Sequence, residues 1–202
     1  MNEKKTILIV NLAQYGKHTD TYKYCAYLNK EYNIYYICID NNLPKINDGT
    51  NVIYLKNSGN SLINTINLIL ESRKLLRNIH INVTMITYFK LCSLIKCCLP
   101  SNYILDIRTG SVDKSLFKRI KFNKLMKLES YFFKNISIIS ESLRKQLKYK
   151  KNKCIIIPLG SDILSVKNKI FNKNKLKLIY VGTLYSRNIY QTIYGLKKFQ
   201  EE

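Results

Sequence analysis

Tryptophan is absent from this 202-residue chain, glycine occurs seven times and proline three times. Lys, Ile, Leu, Asn and Tyr are the most frequent residues, as AT-rich coding DNA would produce. Acidic residues are scarce as well: 13 stand against 34 Lys and Arg, a net charge of +21. A surface that basic attracts phosphates, whether on nucleic acid, anionic lipid headgroups or phosphorylated substrates. The same base composition supplies lysines that serve no function, so both readings stay open. The lysines run along the whole length without an arginine-rich block or basic tail, which weakens the case for nucleic acid.

Other absences exclude whole classes. The six cysteines (Cys25, Cys38, Cys92, Cys97, Cys98, Cys154) form no C-x-x-C pair, and no histidine stands at ligand spacing, so a zinc site is not expected. Most lie in apolar runs, where a thiol behaves as a small hydrophobe and points to a reducing compartment. No apolar stretch approaches the length a bilayer needs, because Lys90 and Lys96 interrupt the best candidate. The run Thr6–Val10 is too short for a signal peptide, and Asn11 and Gln14 stand where a small-residue cleavage site belongs. A cytoplasmic protein is expected, at most peripheral on the inner face of the plasma membrane. G-x-G-x-x-G is missing, which rules out a dinucleotide fingerprint, and no repeat recurs at solenoid spacing.

What is present is alternation. Continuous apolar strands are expected at Thr6–Leu12, Ile34–Ile39, Val83–Tyr88, Tyr103–Ile107, Ile136–Ile139 and Cys154–Ile157. Helical patterns fall between them at Thr19–Lys30, Ser61–Arg77, Leu91–Leu99, Lys114–Lys134 and Ser142–Leu147. Strict β-α alternation with such strands predicts an α/β fold, a parallel sheet covered on both faces. Ligands bind such sheets beyond the carboxyl ends of the strands, at a switch point. The polar run Ser165–Lys175 reads as a linker, and a fresh strand-turn-helix begins at Leu176. The expected organisation is a domain over 1–164, a linker over 165–175 and the first β-α unit of a second domain over 176–202.

Several residues carry candidate chemistry. After the first strand, Gln14-Tyr-Gly16-Lys-His18-Thr19-Asp20 is a glycine turn feeding a helix, with Thr19 or Asp20 as N-cap. Such a turn can bring backbone amides to a phosphate, or it can be a plain turn. His18 is either a substrate or proton-carrying group or a bystander, and His80 reads as a charge at a helix end. At the fourth expected strand's end, Asp106-Ile-Arg108-Thr-Gly110-Ser111 places Asp106 and Arg108 on opposite faces of the strand. Arg108 either clamps a phosphate or carboxylate, or pairs internally with Asp106. The helix over Lys114–Lys134 interleaves Leu116, Ile120, Leu125, Met126, Leu128 and Phe132 with lysines. It is either a membrane-surface helix or a covering helix with a solvated lysine face.

The series Asp106-Ile-Arg-Thr-Gly-Ser, Ile138-Ile-Ser-Glu-Ser-Leu143, Ile157-Pro-Leu-Gly-Ser-Asp162 and Tyr180-Val-Gly182-Thr-Leu184 resembles the bacterial group-1 glycosyltransferases of surface-polysaccharide synthesis, over nearly the whole chain. The resemblance implies the GT-B arrangement of two Rossmann-like domains facing across a cleft. The N-terminal one holds the acceptor and the C-terminal one most of a nucleotide-sugar donor. It implies donor-phosphate contacts at Gly16, Gly182 and Arg187, although the usual double glycine is reduced to Gly16 and Thr183 stands where arginine commonly follows Gly182. His18, Asp106, Arg108, Gly110 and Ser111 would line the acceptor side. The family is usually metal-independent, so no cofactor is expected beside the donor. Partners would be a nucleotide-sugar, a lipid-linked or glycan acceptor and an anionic membrane surface. The family's paired-glutamate motif lies beyond residue 202, so the chain alone is expected to show negligible transfer. The rest of the donor domain would lie on a separate chain of a split gene or in a longer version of this sequence. The competing expectation is a basic, non-catalytic module that docks on membrane or nucleic acid.

Overall fold

The computed structural model describes residues 4–96, 101–160 and 189–201. Seven strands form one all-parallel sheet: β1 (Thr6–Val10), β2 (Asn33–Asp40), β3 (Asn51–Lys56), β4 (Val83–Thr87), β5 (Asn102–Ile107), β6 (Asn135–Ile138) and β7 (Cys154–Ile156). Their order is β3-β2-β1-β4-β5-β6-β7, so the fold is α/β and Rossmann-like. The central strands are mostly apolar because both faces of the sheet are covered there. Leu8, Val10, Ile37 and Ile39 enter one core with Leu68, Ile69 and Leu76 of helix α2 (Ser61–Asn78). Ile9, Tyr36 and Cys38 enter a second core with Cys25 of helix α1 (Thr19–Leu28). Helix α3 (Leu116–Ser130) adds Met126 to the first core, and α4 (Glu141–Gln146) packs Leu143 against it.

Strict alternation fails at one place. β3 was not expected: its six residues, Asn51-Val-Ile-Tyr-Leu-Lys56, are only partly buried and carry polar ends, as suits an edge strand. Residues 41–50 join β2 to β3 in parallel without a helix, although such crossovers usually take roughly a dozen residues or more. The loop instead runs back from Leu43, beside Gln14 at the carboxyl end of β1, to Asp48 and Thr50, beside Asn29 at the opposite end of the sheet. Of the helix expected at Leu91–Leu99, the described part is a 3-10 turn over Cys92–Lys96, introduced by Leu91 at φ 68°; residues 97–99 lie outside the described residues. The long basic helix begins later and ends sooner than its residue pattern suggested, and α1 is preceded by His18 as N-cap rather than by Thr19 or Asp20.

The β1-α1-β2 crossover runs toward β3, whereas α2 returns the chain from β3 past β1 to β4. The switch point therefore lies between the carboxyl ends of β1 and β4. The chain divides into two compact units, Met1–Ser161 and Asp162–Glu202. The whole sheet belongs to the first, and helix α5 (Ile189–Glu201) is what is described of the second. The expected linker, the strand before Gly182, and Gly182 and Arg187 themselves lie outside the described residues. Among the described residues, no helix is long and apolar enough to cross a membrane.

Candidate functional site

The turn between β1 and α1 is held from below and from the side. Gln14 is fully buried; its amide donates to the Leu43 carbonyl (2.8 Å) and its oxygen accepts from the Asn41 and Leu43 backbone amides (2.7 and 3.2 Å). Next to it, the Tyr15 hydroxyl donates to Asp48 (2.6 Å) and meets Thr50 (3.0 Å). Burial and the Asp48 carboxylate push that phenol far above its ordinary value, so it stays protonated. Gly16, which follows them, takes φ 88°, a left-handed backbone, and faces the Ile46 side chain. The turn is thus bolted to the loop 41–50.

Beyond it α1 opens with no side chain capping its first amides. The His18 ring lies 3.3 Å from the Thr21 hydroxyl, which also reaches Tyr36 and Asn11. Burial lowers the His18 pKa; Arg108 acts in the same sense and Asp20 against it. An uncapped helix start at a switch point offers backbone N–H groups to an anion.

Asp106 and Arg108 are not on opposite faces. Residues two apart on a strand share a face, and the Arg108 Nε donates to Asp106 Oδ2 at 2.7 Å. A second guanidinium nitrogen donates to the Tyr24 hydroxyl, over whose ring the group also lies, and a third stands 3.7 Å from Asp20. The other Asp106 oxygen accepts from Ser137 of β6. Side-chain exposure is 9% for Arg108 and 1% for Asp106. Burial raises the Asp106 pKa, Ser137 opposes that rise, and the adjacent guanidinium favours the same ionised form as Ser137 does. Two carboxylates surround one guanidinium, so the cluster carries no spare positive charge for an incoming phosphate. The internal pair is the arrangement present, and the contacts of Arg108 with Tyr24 and Asp20 tie β5 to α1.

Gly110 packs near Asn123 and Leu147, and the Ser111 backbone amide donates to Asn123 Oδ1 (2.9 Å). The structure thus brings His18, Asp106 and Arg108 together around α1, while Gly110 and Ser111 belong to the start of the α3 connection. His80 stands near Asn82 at the other end of the sheet.

The sequence pattern did not single out the amide residues on the other side of the β1 turn. A cavity of about 310 Å³ is lined by Leu12, Ile39, Asn41, Asn57, Ser61 and Asn64, with Gly59 beside them. Asn57 donates to Asn41 (2.9 Å) and Asn64 donates to Asn57 (2.8 Å). The cavity lining carries no charge. The Asn57-Ser-Gly-Asn-Ser61 run that precedes α2 was the available signal, a dense turn of amide and hydroxyl groups. Among the described residues, no group of three or more His, Cys, Asp or Glu could hold a metal ion. Cys25, Cys38 and Cys92 are buried free thiols, and burial pushes Cys25 up to about 12.

No protein-family model matches the chain, and no curated protein matches it significantly in sequence.

Proposed function

We propose that this chain is the acceptor-side half of a nucleotide-sugar glycosyltransferase. The observation that carries the reading is the uncapped start of α1 at the β1/β4 switch point, on a turn fixed by Gln14 and Tyr15. Its amides suit a diphosphate. The neutral, amide-lined cavity on the far side of the same turn suits a hydroxyl-rich sugar, which such side chains can both donate to and accept from. The sequence resemblance points the same way. Chemistry would rest on positioning and on neutralising the leaving diphosphate, with groups beyond the described residues contributing. In this reading Arg108 positions α1 and does not touch the phosphate.

Chemical-shift mapping with nucleoside diphosphates, their sugar conjugates and free sugars tests it. Diphosphates should shift the amides of 16–20, and sugars those of 57–64, with dissociation constants on the order of 1 mM for half a site. Perturbations confined to the lysine-rich helix surfaces would leave a basic docking module as the better account.

A further inference from the structure

The longest stretch of the chain without a charged side chain is residues 57–70, in a sequence that holds 34 Lys and Arg. Helix α2 makes up most of that stretch. Its inner side is already used, since Leu68, Ile69 and Leu76 pack into the core. Its outer side carries a second apolar stripe: Leu62, Ile66 and Leu70 follow one another at four-residue spacing, with Ile63 beside them. Each of the four is 43–58% exposed. Exposed Asn67 adjoins the stripe and is neutral. Charge returns at Glu71 and Lys74, which pair with each other at 3.5 Å. The contrast with α3 is sharp, because there the exposed Phe117 and Ile120 stand among Lys118, Arg119 and Lys121.

We infer that the outer face of α2 binds a second copy of this chain, the two helices packing antiparallel across a two-fold axis at Ile66. A two-fold contact sets each group near the axis against itself. A charged face therefore repels its own copy, and a neutral apolar one admits it. With Ile66 at the crossing, Leu62 and Ile63 of one copy meet Leu70 of the other. The Asn67 amides near the axis can pair with each other, since an amide both donates and accepts. The first exposed lysine along the helix is Lys74. Its two copies stand about 24 Å apart, at 1.5 Å rise per residue from Ile66, well beyond a screening length of about 8 Å. An exposed apolar patch of this kind covers on the order of 300–600 Å². Two of them bury roughly 1,000 Å², the lower bound for a specific contact, so dissociation falls on the order of 10–100 μM. An anionic bilayer is a poor occupant, because the stripe offers it no cation. The inference does not rest on sugar transfer.

Sedimentation equilibrium of the full chain, from about 10 μM to 1 mM, should show monomer and dimer in exchange. The rest of the molecule, at +21, repels its copy. The dimer should therefore tighten about threefold or more as salt rises from roughly 0.05 to 0.5 M, the reverse of binding to nucleic acid. Ile66→Asp sets two carboxylates against each other at the axis and should weaken the dimer at least tenfold. Ile66 is exposed, so this variant should unfold at the parent's temperature in dilute solution. In the parent, the amide shifts of 61–71 should move with protein concentration while those of β1 stay in place. If Ile66→Asp unfolds early, those shifts decide alone. A monomer at the highest concentration and salt would overturn the inference, leaving a segment of another protein as the occupant to seek. A dimer that Ile66→Asp leaves intact, or shifts that avoid 61–71, would overturn it too, since the contact would then use another face. No ligand is added, and Ile66 does not line the amide cavity. The ligand shifts expected at 16–20 and 57–64, read at fixed protein concentration, therefore stand or fall separately.

Discussion

Arg108 holds one positive charge between Asp106 and Asp20, and its value lies in what it leaves behind when removed. Arg108→Ala strands the almost fully buried Asp106 carboxylate with only Ser137 as partner. Breaking one side of a buried pair costs about 3 kcal/mol or more, so the urea midpoint should fall accordingly. D106N/R108M, which removes both charges, should recover most of that loss; a single variant within about 0.5 kcal/mol of the parent would show that the pair contributes little. His18 gives the pH dependence. Burial lowers its folded-state pKa, so the unfolded chain takes up the proton first as pH falls. Stability from this group is complete above about 6.5 and drains away as pH drops below it. The facing charges are Asp20, which resists the shift, and Arg108, which adds to it. Wild type should therefore lose more stability than His18→Asn between pH 7.5 and pH 5.5, and equal losses would remove His18 as the source.

At the scale of elements, the β1–α1 turn and the loop 41–50 act as one piece because Gln14 joins them through three hydrogen bonds. Gln14→Ala removes the partner of one carbonyl and two amides in the partly exposed loop, at about 1–2 kcal/mol in total. Hydrogen exchange at Asn41 and Leu43 should accelerate together while exchange in β6 stays as before; unchanged protection at Asn41 would mean the loop holds itself. This coupling was hidden in the sequence, since Gln14 reads as a turn residue until the loop is placed above it. Strands with unbroken apolar runs, such as Thr6–Val10 and Ile34–Ile39, were legible because burial on both faces leaves no polar position in them. β3 was not legible: an edge strand needs only one good face, and Asn51 and Lys56 bracket a run too short to separate from a loop. Helix α2 was read almost to the residue, since Asn60 caps it through the Leu62 and Ile63 amides and its period is strong. The site divided in the same way. Asp106 and Arg108 at the end of β5 and His18 in the turn before α1 were legible as polar residues in the crevice, but their further partners Tyr24, Asp20 and Ser137 come from elements distant from β5 in sequence. The cavity amides Asn41, Asn57 and Asn64 were not, since asparagine is common throughout this chain and none of the three stands out by type.

For the whole molecule, the decisive fact is where the cores lie. Among the described residues, the seven strands, both hydrophobic cores and the α1 cluster fall within residues 4–160, inside the compact unit Met1–Ser161. A chain of that length can bury enough apolar surface to stand alone. Residues 1–161 expressed by themselves should therefore unfold in a single cooperative step. The slope of stability against urea should match the main transition of the full chain within about 10–15%, because that slope follows the surface exposed on unfolding. Helix α5, by contrast, exposes Tyr190, Ile193 and Tyr194 along its length, and a helix of that size has little stability on its own. Removing it should leave the main transition's midpoint in place. A shorter piece loses edge strand β7, which pairs with β6 through Ile136–Cys154 and Ile138–Ile156, and ending the chain at Lys150 should broaden the transition and lower its midpoint. If 1–161 instead unfolded without cooperativity while the full chain did not, residues beyond Ser161 would be part of the same folding unit, and the division at that residue would be wrong.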